Sequence, residues 1–450
     1  MRIGTVVFWV IVAAVLGVVA VQTRPGGGHG PAPAVPTLGV DPATTTTIEV
    51  RNPGADPVRV ERGSAGSGWV VSWTDASGEP RAWAADPDLT RAGLRVLATA
   101  ELEPREGGPV GDGATELTIT NEGGARTIVR LGTRTVGGRT EGELVGSPGD
   151  TRGIWIGSRL VEALRRASML RWRDPRLADT GGEATQIDLH AGNGGVSLSR
   201  VGGLWFVGGA GGVNADRSAV ERLIAKLSEV RGEAFVDRPM PDTDTGLADP
   251  IATIEVRAAG ETAHTRTLTI GQGVDAGVTA VFVRASGRDG ERAMGPVLAR
   301  VTGESLAAIG VNPEAYVRRT PIDPGQFDVG RVTLGALERE GVAFARSIDG
   351  WQRDAEDGRS PESKNLDTLL GVLTKTDAST IRMGPAGAAF ALIRVRDEAR
   401  EQGLTFQVAR EEGGGYAVSL VRGAMIVTWV YDAGVADDAF AWVSAQAGSG

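Results

Sequence analysis

Three histidines, His29, His190 and His264, are the only imidazoles in the 450 residues. A serine hydrolase would use one of them as base, between a nucleophilic serine and an orienting carboxylate. His190 and His264 lie on or beside stretches of alternating polarity, but no G-x-S-x-G turn accompanies them to expose a nucleophile. His29 lies among glycines and prolines. Surface or half-buried histidine is the simpler account of each. The chain has no cysteine, which removes thiolate nucleophiles, Cys-ligated zinc and disulfides together.

Other motifs are incomplete in ways that matter physically. Gly271-Gln272-Gly273-Val274-Asp275-Ala276 has the spacing of a dinucleotide-binding turn, which needs a helix next to bring its N-terminus to the pyrophosphate. Val278 to Ala285 reads as a strand, so a hairpin turn is expected. No Walker A loop occurs, so any coupled ATPase would be a separate chain. Asp242, Asp244 and Asp249 resemble part of a calcium loop. The glycine, Gly246, is out of register by one place, and Thr253 stands where the bidentate glutamate belongs. Paired carboxylates for glycosidic cleavage need a set separation in space; Glu411–Glu412 and Asp437–Asp438 read as solvated edges. The expectation is no catalytic residue, no cofactor and no metal. Tryptophans offer faces for sugars or a core. Trp69, Trp205 and Trp351 recur at equivalent places and are expected as core anchors. Trp73 and Trp83 do not recur, and are the candidate surface-binding residues.

The elements that would position these residues repeat themselves. VSLSRVGGLWFV (196–207) and VAFARSIDGWQR (342–353) are both alternating strand pairs around a turn, ending on a tryptophan. A capped helix follows each, with Asn214 and Ser360 as expected caps and Pro361 at the first helical position. Val220, Leu223, Ile224 and Leu227 form one apolar face, and Leu366, Leu369, Leu370 and Leu373 form another. Leu223 follows Trp205 by 18 residues, as Leu369 follows Trp351. A looser first copy holds VRVERGSAGSGWVVSW (58–73) and a helix begun by Asp86–Pro87, with Asp75 to Arg81 as an insertion. After each helix come further strands, and a second helix is expected near Arg159–Ala167 and Val297–Ile309. Each unit therefore reads β-β-β-α-β-β-β-α. The fold class is α+β: three tandem repeats of mostly antiparallel sheet with packed helices. The units span 45–182, 183–327 and 328–447; the last is shortest and would serve as a cap.

Ile3 to Val21 carries no charge. As a helix it spans about 28 Å, close to a bilayer's hydrocarbon thickness. Residues 1–22 are thus expected as a single transmembrane anchor, N-terminus cytoplasmic, with the remainder extracytoplasmic (periplasmic). A cleaved signal peptide is the competing reading, and it exports the same remainder. Residues 23–44 form a proline- and glycine-rich linker. The formal charge of −9 is unsuited to a phosphate backbone, so no nucleic-acid partner is expected.

The strand, Gly turn, Trp and Leu-rich helix of copies two and three resemble an uncharacterised bacterial family, the domain of unknown function 4340. GLADPIATIEVR (246–257) leading to TRTLTIGQ (265–272), and ALRRASMLRWRDPRL (163–177), carry the resemblance further. Members resemble auxiliary parts of ABC-type transport systems, including those named for gliding motility, and are anchored in this way. The resemblance implies a non-enzymatic, membrane-anchored accessory protein with protein partners, an ABC permease and ATPase among them. A cell-envelope module binding glycan or peptidoglycan is the alternative; an enzyme, for instance a hydrolase, would need a cleft with a histidine or two carboxylates in reach.

Overall fold

The computed structural model describes residues 37–448 except 64–67, 107–108, 112, 146–150, 180–182, 193, 260–263, 273–279, 308, 338–340 and 355–359. The apolar run 3–21, His29 and the first part of the linker lie outside the described residues. Among those described, no helix is long and apolar enough to cross a membrane. The chain divides into two compact units, one of Gly93–Ala163 with the chain up to Thr45, the other of Thr46–Ala92 with Leu164 onward.

The second repeat shows the plan. Its first strand, Ala184–Ala191, is central and pairs antiparallel with Gly194–Val201 on one side and Ala252–Ala258 on the other. Beyond Gly194–Val201 lie Leu204–Val207 and the two-residue Val213–Asn214. Beyond Ala252–Ala258 lie His264–Ile270, Ala280–Asp289, Arg292–Thr302 and the short Ala234–Phe235. The chain builds one half of a nine-stranded sheet, crosses through the helix Arg217–Glu229, then builds the other half. Gly202 and Gly203 make the turn between Gly194–Val201 and Leu204–Val207 at φ +58° and +85°, the left-handed conformation a two-residue hairpin requires.

The third repeat follows the same order with eight strands, Arg331–Gly335 lying between Val342–Ser347 and Ala389–Asp397. The helix Ser363–Lys375 makes its crossover, and Asp437–Gly448 closes the chain. In the first repeat, Thr45–Arg51, Val58–Arg62, Trp69–Thr74 and Pro80–Ala84 pair in succession. A meander of four strands, Thr115–Asn121 to Thr151–Gly157, belongs to the other compact unit. The fold is thus three mostly antiparallel sheets with packed helices. Val220, Leu223 and Leu227 are buried, as are Leu366, Leu369 and Leu373, so the expected helix faces do form the core.

Several local expectations need correction. The stretch from Val297 is not helical: Arg292–Thr302 is a strand, and only Gly303–Ala307 is helix. Val297, Ala299 and Val301 are buried, a period of two that the apolar run concealed. Four long strands, not three, follow each crossover. The helix cap is Asp216, whose side chain accepts the Ala219 amide; Asn214 is in the edge strand. Helix Ser363–Lys375 starts after Glu362, so Ser360 and Pro361 precede it. Within the stretch expected as linker, Thr37 bridges Glu101 and Leu38 is buried.

Backbone bonds join successive repeats in one pattern. The amides of Asp86 and Asp216, each at a helix start, donate to Trp172 O (2.6 Å) and Tyr316 O (2.7 Å). In return Asp174 and Arg318 donate to Ala84 O (2.7 Å) and Asn214 O (3.2 Å). Each segment then accepts from the repeat it enters: Gly232 donates to Pro175 O (2.8 Å), Ala378 to Arg319 O (3.1 Å). The bridge Arg176 to Arg231 matches that of Thr37 to Glu101, so the chain enters the first repeat as it enters the second. Trp69, Trp205 and Trp351 accept on their carbonyls from Ala85, Ala215 and Ser360. That equivalence puts Pro361 where Asp86 and Asp216 stand. Proline has no N–H to give, so the third repeat cannot receive a further segment in this way.

Candidate functional site

The two joints share a backbone pattern but differ in what fills them. In the first, the strand Pro80–Ala84 lies against Arg292–Thr302 of the second sheet. Trp83 is 0% exposed; its Nε1–H donates to Asp174 O at 3.0 Å and its ring lies 5.2 Å from the Arg266 guanidinium. Burial holds Arg266 below the ordinary arginine range, with Asp289 acting against that shift. Arg173 is the centre of the joint. It stands between the rings of Trp73 (5.0 Å) and Phe235 (4.2 Å), forks to Asp237 at 2.7 and 2.9 Å, and donates its Nε–H to Leu170 O.

The second joint is open. Matching backbone positions put Val317, Ile381 and Met383 where Arg173, Phe235 and Asp237 stand. The edge strand Pro80–Ala84 has no long counterpart; the glycine-rich loop Gly208–Gly212 and Val213–Asn214 take its place. Two depressions result, both open to solvent, of about 650 Å³ and about 610 Å³. They share Gly211 and Arg422, so they form one cleft.

One part of the cleft is lined by Leu204, Phe206, Phe327 and Leu404, with Arg400 at its side. The other is lined by Val207, Pro313, Met383 and Met425. Gly208 has φ +86°, and a Cβ there would fall 1.9 Å from Met425 Cε; the missing side chain is what lets the methionine lie against the loop. Arg400 is held by Asp397, which its guanidinium meets at 2.9 Å. Asp323 is already matched by Arg318 at 2.9 Å and Gln326 at 2.7 Å. Arg422 ends the strand Tyr416–Arg422, half-buried, and its side chain makes no hydrogen bond or ion pair among the described residues. The cleft has walls of mixed apolar and polar side chains, an unpaired guanidinium among the described residues, and a loop whose Gly209 and Gly211 have open space where side chains would stand.

The residues singled out from the sequence do not gather here. Trp73 and Trp83 are buried (9% and 0% exposed) inside the first joint. Neither offers a face to a ligand, because the insertion that set them apart folds as an extra edge strand and its hairpin. Of the repeat anchors, Trp205 and Trp351 are buried, and Trp351 donates to Asp367 Oδ1 at 3.1 Å; Trp69 is half-buried beneath Arg62. His190 is exposed. His264 Nδ1 meets Asp289, its cross-strand partner, at 2.9 Å.

The acidic motifs are likewise accounted for locally. Asp242–Thr245 is a helical turn, and Asp242 pairs with Arg284, whose hydrogen bond holds the carboxyl below its ordinary value. Asp249 accepts from Gln272. Glu411 pairs with Arg382, and Asp437–Asp438 open the last helix, where carboxylates suit the dipole. No group of three metal-ligating side chains occurs among the described residues. Gly271 packs against Thr245 O; positions 273–276 of that motif lie outside the described residues, and a strand follows at Ala280. Sequence reading missed Arg422 and the loop 208–212. The run GGAGG was visible, but its meaning depends on the strand that the first repeat has there.

Residues 205–392 match the family described as domain of unknown function (DUF4340). That span carries the Gly208–Gly212 wall of the cleft and the whole of the second joint segment. No curated protein and no solved structure matches the chain.

Proposed function

The chain belongs, through residues 205–392, to the domain of unknown function 4340 family, and from that premise we propose that it is a membrane-anchored, extracytoplasmic accessory protein that holds a protein partner in the cleft between its second and third sheets. The observation that carries this reading is the contrast between the joints. One backbone pattern is packed shut by Arg173 and two aromatic rings in one place, and left open over two linked depressions in the other. Concave sites that combine apolar side chains with a few placed polar groups are where proteins bind.

The anchor comes from the apolar run 3–21 and the accessory role from the family resemblance; both are proposals. An ABC-type permease with its ATPase is the partner that resemblance implies. The glycan reading depended on exposed tryptophan, and burial of Trp73 and Trp83 withdraws that support. The test is purification of the tagged full-length protein from its native membranes in mild detergent, with mass spectrometry of co-purifying chains. A permease and ATPase recovered in fixed ratio supports the proposal; recovery of the chain without a stoichiometric partner overturns it.

A further inference from the structure

We propose that the cleft takes an extended, acidic segment of the partner, with Arg422 as the residue that reads its carboxylate. This rests on the partner-binding reading and adds the chemistry of what is bound.

Charge complementarity decides the occupant. The chain is acidic overall, at −9, yet Arg422 stands where the two depressions meet and has no partner among the described residues. Arg400 on the same wall is already paired with Asp397, and the nearby Asp323 with Arg318, so Arg422 is the charge the cleft leaves unmatched among the described residues. A half-buried guanidinium with free donors is suited to a forked pair with a carboxylate.

The rest of the cleft fits peptide better than lipid. The amides of Gly209, Ala210 and Gly211 make no backbone bond among the described residues, and a side chain at either glycine would stand in open space, so a main chain can approach donors that are not already used. Apolar contacts are spread over both depressions, at Phe206 and Leu204 in one and Met383 and Met425 in the other. An acyl chain would be served by an enclosed apolar pocket, whereas a shallow open cleft with spaced apolar places and main-chain donors suits an extended segment with alternating side chains. Leu204 (37% exposed) lies at the tip of a hairpin beside the cleft and extends its apolar rim.

The experiment places a benzoyl-phenylalanine photocrosslinker at Phe206 in the full-length protein in native membranes, and sequences the crosslinked peptide. The expected result is one partner peptide with an aspartate or glutamate within a few residues of the crosslink. Its yield should fall on the order of tenfold in Arg422→Glu and by less in Arg422→Lys, which keeps the charge but cannot fork. Because the Arg422 side chain makes no hydrogen bond or ion pair with a described residue, these variants leave the fold in place, which a thermal melt checks. A crosslinked lipid overturns the inference. So does a partner peptide without acidic residues, or a yield unmoved by Arg422→Glu; either of these leaves partner binding itself standing. No adduct at position 206, while a stoichiometric partner still co-purifies, removes the cleft and keeps the accessory role.

Discussion

Arg173 and Asp237 form a forked pair, 2.7 and 2.9 Å, that ties the segment leaving the first repeat to the short strand region of the second. The arginine is 4% exposed in its side chain and the aspartate 47%, so the cation is the desolvated member. Asp237 is half in water, and its share of the attraction is correspondingly screened.

Arg173→Ala should therefore destabilise the protein by about 2–4 kcal/mol, mostly through lost ring contacts and an emptied site rather than lost charge. Arg173→Lys should recover less than half, since an ammonium cannot fork or stack flat between two rings. Urea unfolding of the full chain, followed by tryptophan fluorescence, reads both.

Trp83→Phe keeps most of the apolar volume and removes the donor that meets Asp174 O. A cost of about 1–2 kcal/mol is expected for leaving that carbonyl unsatisfied in a buried place. The same substitution at Trp69, half-buried and with its face beneath Arg62, should cost under about 1 kcal/mol. Equal costs at the two sites, measured by thermal unfolding, would contradict the burial contrast.

How much of this was legible in the sequence follows from what each feature depends on. The helix faces and first strands were readable because their signals are local: Leu223 and Leu369 sit at matching distances from Trp205 and Trp351. The strand Arg292–Thr302 was not, because Val297, Leu298 and Val301 satisfy a helical spacing as well as an alternating one until a neighbouring strand decides. Arg173 and Arg422 illustrate the same limit at the site level. Both are arginines beside apolar residues; one is enclosed by Trp73 and Phe235 and the other is left free, and only the tertiary arrangement distinguishes them.

Pro361 in place of Asp86 and Asp216 yields a paired prediction. Asp216→Pro removes the amide that donates to Tyr316 O and the carboxylate that caps Ala219. It should cost about 2–3 kcal/mol and open the 313–322 segment to limited proteolysis. Pro361→Asp should leave stability within about 0.5 kcal/mol, because no bond to a joint segment is made at that position among the described residues. Proteolysis of the second joint that is unchanged in Asp216→Pro would contradict the role given to that bond.

Acid should loosen the end of the third sheet. Burial opposes the charge of Asp397, but the amides of Asp328 and Arg400 and the Arg400 guanidinium outweigh it and hold the carboxyl below its ordinary value. A folded pKa below the unfolded one means stability present above the ordinary carboxylate range and lost as pH falls through it toward the folded value. Asp397→Asn should thus lower the melting temperature at pH 7, and the gap to the wild type should shrink below about pH 4. A gap independent of pH would assign the loss to packing instead.

Gly211 lines both depressions, lies outside the left-handed region, and has open space around the position of a side chain. Gly211→Trp therefore fills the cleft without displacing its walls. The most direct measurement is the ratio of co-purified partner to chain, in mild detergent from native membranes, for the wild type and for Gly211→Trp. If the cleft holds the partner, the variant keeps its melting temperature and loses the partner. A variant that retains the partner at the wild-type ratio contradicts the proposed function of the cleft.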